Sequence, residues 1–150
     1  MLFTIGEGAF GMGIGCLAEA TYPVDLTTLS TPYTYCAKLP FRGREIPVLQ
    51  LAHLFGFAEG RPHPGQRVLV IHSGDIWVGF LVDQVLEVVE VSPQEIVPMP
   101  EMLTLLDPRF FRGLVRRDSN IIILLDPLPL AALDEVSYFY SFRDEGGSAG

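Results

Sequence analysis

Basic residues are the scarcest class in this chain of 150. There are 10 lysines and arginines against 18 acidic residues, a net charge of −8, and Lys38 is the single lysine. A chain so poor in cations offers little to a phosphate backbone or an anionic bilayer, so neither nucleic acid nor direct membrane insertion is expected. Cysteine is nearly absent as well. Cys16 and Cys36 form no CxxC and no ligand set, which points to a reduced, cytoplasmic setting and not to a disulfide framework. Long hydrophobic runs are missing too. The longest, Ile121 to Leu133, is interrupted by Asp126, Pro127 and Pro129, and no basic n-region with a long apolar h-region is present, so neither a membrane span nor a signal peptide is expected.

Chemical motifs are equally lacking. His53, His63 and His72 are scattered, and there is no HExxH, no nucleophile elbow and no set of carboxylates at ligand spacing. No catalytic residue, metal site or cofactor is therefore expected. The run Ile5-Gly6-Glu7-Gly8-Ala9-Phe10-Gly11 has the letters of GxGxxG. A kinase phosphate loop of that form needs a lysine on a following strand, and a dinucleotide loop needs a helix after the glycines. Strand-like residues come next here, so the run reads as a glycine turn entering a strand.

What is present is a packed β protein. Hydrophobic residues make up 49% and charged residues 19%, the balance of a globular domain. The organising stretch is Leu39-Pro40-Phe41-Arg42-Gly43-Arg44-Glu45-Ile46-Pro47-Val48-Leu49-Gln50-Leu51. It reads as an Arg-Gly turn, a short apolar strand, and a helical turn in which Leu51, Leu54 and Phe55 recur and Gly56 caps the end. Pro47 suggests an edge strand or a strand start, because it cannot donate to a ladder. Leu2 to Ile5 reads as a strand. Phe10, Met12, Ile14 and Cys16 alternate with Gly11, Gly13 and Gly15, which predicts one glycine-faced strand. Arg67 to Ile71 and Ile76 to Val82 flank a turn at Ser73-Gly74-Asp75, and Val85 to Val91 is β-branched enough for a further strand.

The pattern recurs. Glu19 and Glu87 are 68 apart, as are Gly11 and Gly79, and Pro32 and Pro100, while Arg42 and Arg112 are 70 apart. The fold class expected is all-β: two small five-stranded SH3-like β-barrel lobes in pseudo-repeat, with short helices. Their expected extents are 8–58 and 67–134. Ile14, Leu17, Leu49 and Leu51 are assigned to one core, and Phe80, Val82, Val85, Leu124 and Leu125 to the other. Glu19 is expected to pair with Arg42, and Glu87 with Arg112, each tying a turn to a sheet.

These residues resemble CheW-like domains, the coupling modules of bacterial chemosensory arrays. Leu17-Ala18-Glu19-Ala20 is similar to the family's V-x-E-V, and Phe41-Arg42-Gly43 through Pro47-Val48-Leu49-Gln50-Leu51 to its L-R-G-x-x-x-P-V-x-D-L. Val78-Gly79-Phe80-Leu81-Val82-Asp83-Gln84-Val85 is similar to V-G-L-x-V-D-x-V, and Phe111-Arg112-Gly113 with Leu124-Leu125-Asp126 to the closing motifs. The resemblance covers about residues 3–134 as one domain, leaving a tail over 135–150 that is first aromatic and then rich in Gly and Ser. It implies a non-catalytic adaptor joining the cytoplasmic tips of chemoreceptors to the regulatory domain of a CheA-type histidine kinase. It also implies a partner groove including Ile14, Leu17, Glu19, Arg42, Val82 and Val85. Pro40, Gln50 and Ala37 depart from the family's residues. With the tail aromatics Tyr138 to Phe142, which either cover a groove or anchor a partner, they leave open a second reading: a module of another signalling or motility complex, or a self-associating scaffold.

Overall fold

The computed structural model describes residues 1–28, 36–57, 62–100, 107–137 and 139–141. Pro32, and with it the match of Pro32 to Pro100, lies outside these residues, as do Tyr138 and Phe142. Eleven strands run in chain order: β1 (Leu2–Ile5), β2 (Gly8–Met12), β3 (Leu17–Thr21), β4 (Thr27–Thr28), β5 (Cys36–Phe41), β6 (Arg44–Gln50), β7 (Arg67–Ser73), β8 (Ile76–Val82), β9 (Gln84–Val85), β10 (Phe111–Arg117) and β11 (Asn120–Leu125). Short helices α1 (Leu51–Leu54) and α2 (Pro127–Ala131) come after β6 and β11, and residues 134–137 and 139–141 are helical as well. Gly56 has φ +79 just beyond the C-cap of α1, the left-handed position that favours glycine at a helix end.

The strands form a five-stranded sheet, in order β10-β11-β2-β1-β9, and a six-stranded sheet, in order β3-β7-β8-β6-β5-β4. The mainly-β class and the two-sheet architecture are as the sequence predicts. The division of the chain is not. Hairpin β1–β2, from the first half, sits in the sheet of the second half, where β2 runs parallel to β11. Hairpin β7–β8, from the second half, sits in the sheet of the first, where β8 runs parallel to β6. The two halves have exchanged hairpins, so contiguous lobes over 8–58 and 67–134 do not exist as separate sheets. Within that exchange the repeat holds for Gly11 and Gly79. Each lies on the second strand of an exchanged hairpin, opposite a parallel neighbour, at Leu124 and Val48 respectively.

Both sheets must curl. A flat sheet of six strands would separate its edges by about 24 Å. The edges here are β3 and β4, joined only by residues 22–26, and that link reaches about 20 Å fully extended. In the other sheet one segment serves both edges. Leu2 N–H donates to Glu87 C=O at 2.7 Å on the β1 side, and Val97 and Leu114 exchange two backbone bonds of 2.8 and 2.7 Å on the β10 side. The predicted strand over 85–91 stays bonded to β1 as far as Glu87, with Leu86 N–H donating to Leu2 C=O at 2.8 Å, and is a connection from there on.

Three further expectations change. The glycine-faced strand stops at Met12, because β2 and β3 belong to different sheets and the chain must turn between them at Gly13-Ile14-Gly15. Pro47 is in central strand β6, but pairing with β8 begins one residue later, at Val48. The core is also partitioned differently. Leu49, Leu51, Phe80, Val82 and Leu125 share one cluster with Phe3, Phe10, Leu69 and Ile71, while Val48, Val68, Val70, Ile46 and Leu39 form another inside the six-stranded sheet. Strand β7 feeds both by alternation, which is why its Val-Leu-Val-Ile run is apolar throughout. All four are fully buried, each contributing about 1.5–3 kcal/mol.

Candidate functional site

Glu19 and Arg42 are brought together as the sequence predicts. A bulge between Leu17 and Glu19 adds a residue to β3 opposite β7 and re-aims the side chains beyond it. Arg42 and Gly43 form the two-residue turn between β5 and β6 with φ of 49° and 78°, the doubly left-handed geometry that suits the twist of a hairpin. The Arg42 guanidinium donates to Glu19 Oε1 at 2.9 Å. β3 is one edge of the sheet and the β5–β6 turn lies near the other, so this side-chain contact forms a seam between the two edges. The side chains are 57% and 42% exposed, so the pair belongs with surface ion pairs worth about 0–1 kcal/mol. The larger cost expected of a buried pair does not apply.

Around the seam lies a group of rings that the sequence reasoning missed. Arg42 stands 4.8 Å from the Phe41 ring centre and Arg44 5.2 Å from that of Trp77. Trp77 stacks on His72 at 3.8 Å and leans on Phe41 at 5.9 Å. The signal was available, because a hairpin turning at Gly74 places His72 opposite Trp77 across β7–β8. The result is a cationic, aromatic surface on an otherwise acidic molecule.

The other expected groove residues divide by burial. Ile14 is 52% exposed in the bend between the sheets, and Leu17 N–H donates to its carbonyl. Leu17 and Val85 are half-buried against the main core. Val82 is 1% exposed. It faces that core from β8 and shapes the surface from beneath, out of a partner's reach. The second expected ion pair does not form. Glu87 and Arg112 make no contact with each other, because Arg112 sits in a bulge at the start of β10 and not in a hairpin turn. The turn matching Arg42-Gly43 is Asp118-Ser119, with φ of 47° and 70°. Beside it, Arg117 reaches Glu95 at 3.3 Å and the Glu90 carbonyl.

The tail covers the domain where it is described. Val136 and Phe139 are buried. The Tyr140 hydroxyl accepts from Trp77 N–H at 3.0 Å and donates to Trp77 C=O. β6 pairs with β8 only from Gly79 onward, so Tyr140 satisfies backbone groups that this edge of β8 leaves open. Among the described residues no helix is long and apolar enough to cross a membrane.

Comparison with known proteins agrees with this geometry. Residues 1–135 match the family model described as CheW-like domain. A chemotaxis protein CheW from Thermotoga maritima is 35% identical over 128 residues, covering 83% of this chain and 81% of that protein. A probable chemotaxis protein CheW from Rhizobium etli is 27% identical over 125 residues, with the same two coverages. The crystal structure of a scaffolding protein, TtCheW from Thermoanaerobacter tengcongensis, superposes with a TM-score of 0.74 at 26% identity, over 83% of this chain and 85% of that one.

Proposed function

The chain belongs to the CheW-like domain family, and from that premise we propose that it is a chemotaxis coupling adaptor: a non-catalytic scaffold that holds chemoreceptor cytoplasmic tips and the regulatory domain of a CheA-type histidine kinase in one assembly. The observation that carries this reading is the family match over residues 1–135, joined to relatives named for chemotaxis. The receptor surface is assigned to the exposed bend at Ile14, the half-buried Leu17 and Val85, and the Glu19–Arg42 seam. A helix laid on such a surface is held by a few apolar anchors while charge fixes its register. Val82 supports this surface without touching the partner.

The test is reconstitution. Purified chain, a receptor cytoplasmic fragment and the kinase regulatory domain from the same organism are mixed pairwise and together, and co-sedimentation is measured. The reading requires each partner to bind the chain separately and all three to sediment together. Binding of neither partner refutes it.

A further inference from the structure

An adaptor needs a second surface that leaves the first one free, and the outer side of β10–β11 has the chemistry for one. We propose that this face docks a protein partner presenting an apolar stripe rimmed by aspartate or glutamate, an inference that rests on the adaptor reading. Register defines the face. Leu114 pairs with Ile123, Arg116 with Ile121, and Val97 bridges Leu114. Residues directly opposite in a ladder project to the same side, so these five share one surface. Val97 and Ile121 are 57% and 54% exposed at its two ends, and Leu114 and Ile123 are half-buried between them.

Charge identifies the occupant. Most described arginines are engaged: Arg42 by Glu19, Arg109 by Asp107 and Arg117 by Glu95, Arg44 by Trp77 and Arg67 by Tyr22. Arg116, and Arg112 at the β10 bulge, are exposed and meet no acid and no ring among the described residues. Arg116 beside the exposed Ile121, with Arg112 further back along β10, makes a second cationic patch, after the one at Arg42 and Arg44, on a molecule of net charge −8. Such a patch steers an acidic surface into place and fixes its register, while the apolar residues supply the contact. A second copy of this chain, also carrying −8, is a poorer match overall than a separate partner.

The experiment uses the full chain with the receptor fragment and the kinase regulatory domain as separate probes, in 50 and 300 mM salt. Arg116→Glu and Ile121→Asp are the variants. Both positions are exposed, so melts within 2 °C of the parent are expected. If the face docks one partner, each variant loses at least tenfold in affinity for one probe and less than twofold for the other. The parent's affinity for that same probe also falls with salt more steeply than that of Arg116→Ala. Retention of both probes within twofold overturns the inference and leaves the adaptor reading intact. Loss of both probes by folded variants also overturns it, because the face is then not separate from the first surface. Sedimentation that shows the parent self-associating, with the variants monomeric, assigns the face to a second copy and overturns the partner named here. Binding of neither probe by the parent overturns the adaptor reading, and this inference falls with it.

Discussion

Replacing Gly79 with alanine tests the exchanged-hairpin architecture at its tightest point. A Cβ at Gly79 would lie 2.5 Å from Val68 Cγ1 and 3.0 Å from Val48 Cγ2, where ordinary carbon contacts are about 3.5–4.0 Å. Both valines are fully buried, and β-branched side chains have little freedom at χ1 to move aside. Overpacking of this kind costs about 1–3 kcal/mol. With the nearer contact a full ångström inside the normal range, the upper half of that interval applies. For a chain of this length the melt should fall by roughly 5–10 °C. The assay is urea denaturation with an unchanged far-UV spectrum as a control for fold. A double-mutant cycle with Val68→Ala identifies the cause, because the new methyl would occupy the space that Val68 vacates. The double variant should be at least about 1 kcal/mol more stable than the two separate losses imply. A Gly79→Ala variant within 0.5 kcal/mol of the parent, or strict additivity in the cycle, would refute the close approach of β7 and β6 to this backbone. Gly11→Ala is the milder counterpart. Its Cβ would crowd the ends of Leu124 and Leu2, at 3.0 and 3.2 Å, and meet Ile122 Cγ2 at an ordinary 3.5 Å, so about 1 kcal/mol is expected.

Other consequences are as direct. Glu19→Ala and Arg42→Ala should each cost at most about 1 kcal/mol, less in high salt, while weakening receptor capture; equal melts with equal capture would count against the seam as a contact. Val82→Asp should leave no cooperative melt above room temperature, since it buries an unpaired charge, whereas Ile14→Asp should melt like the parent. Ser119 occupies a left-handed position at φ 70°, and Ser119→Gly should raise stability by about 1 kcal/mol, read as a higher urea midpoint at unchanged slope. Tyr140→Phe removes the bonds to the Trp77 backbone and should cost about 1–2 kcal/mol by the same assay; a neutral result would mean water replaces the hydroxyl freely.

Local signals in the chain were informative about elements and silent about their partners. The turn glycines at Gly6, Gly43 and Gly74 all have positive φ, and β1 spans the residues its pattern predicts. The helix ending at Gly56 is equally plain. What no local signal carries is which sheet a hairpin joins. Hairpin β7–β8 looks the same from within whether it pairs with β6 or with β11, so the repeat was visible while its exchange was not. The match of Arg42 to Arg112 failed for a related reason. Phe-Arg-Gly is a hairpin turn in one half and the start of a strand in the other, and only the positive φ of Asp118 and Ser119 reveals the true counterpart. Of the site, the Glu19–Arg42 contact was legible because two opposite charges each flank the apolar strands of one sheet, although the repeat that suggested it does not carry the pairing over to Glu87 and Arg112. The burial of Val82 was not, because strand β8 is apolar on both of its faces.

The parallel pairing of β2 with β11 has a consequence during synthesis. Met12 is made early, and its ladder neighbour Leu125 arrives only after 112 further residues. At about 5–20 residues per second, the first hairpin waits on the order of ten seconds for the strand that completes its sheet. Throughout that interval Phe3, Ile5, Phe10 and Met12, all buried in the finished molecule, are exposed beside an open strand edge, a template for pairing with other chains. The six-stranded sheet has no such delay, since its strands are complete by Val82. It can form first and offer its apolar face to the waiting hairpin. Chains truncated after residue 100 and released from the ribosome should therefore resist proteolysis within strands β5, β6, β7 and β8 while being cut within the first twelve residues.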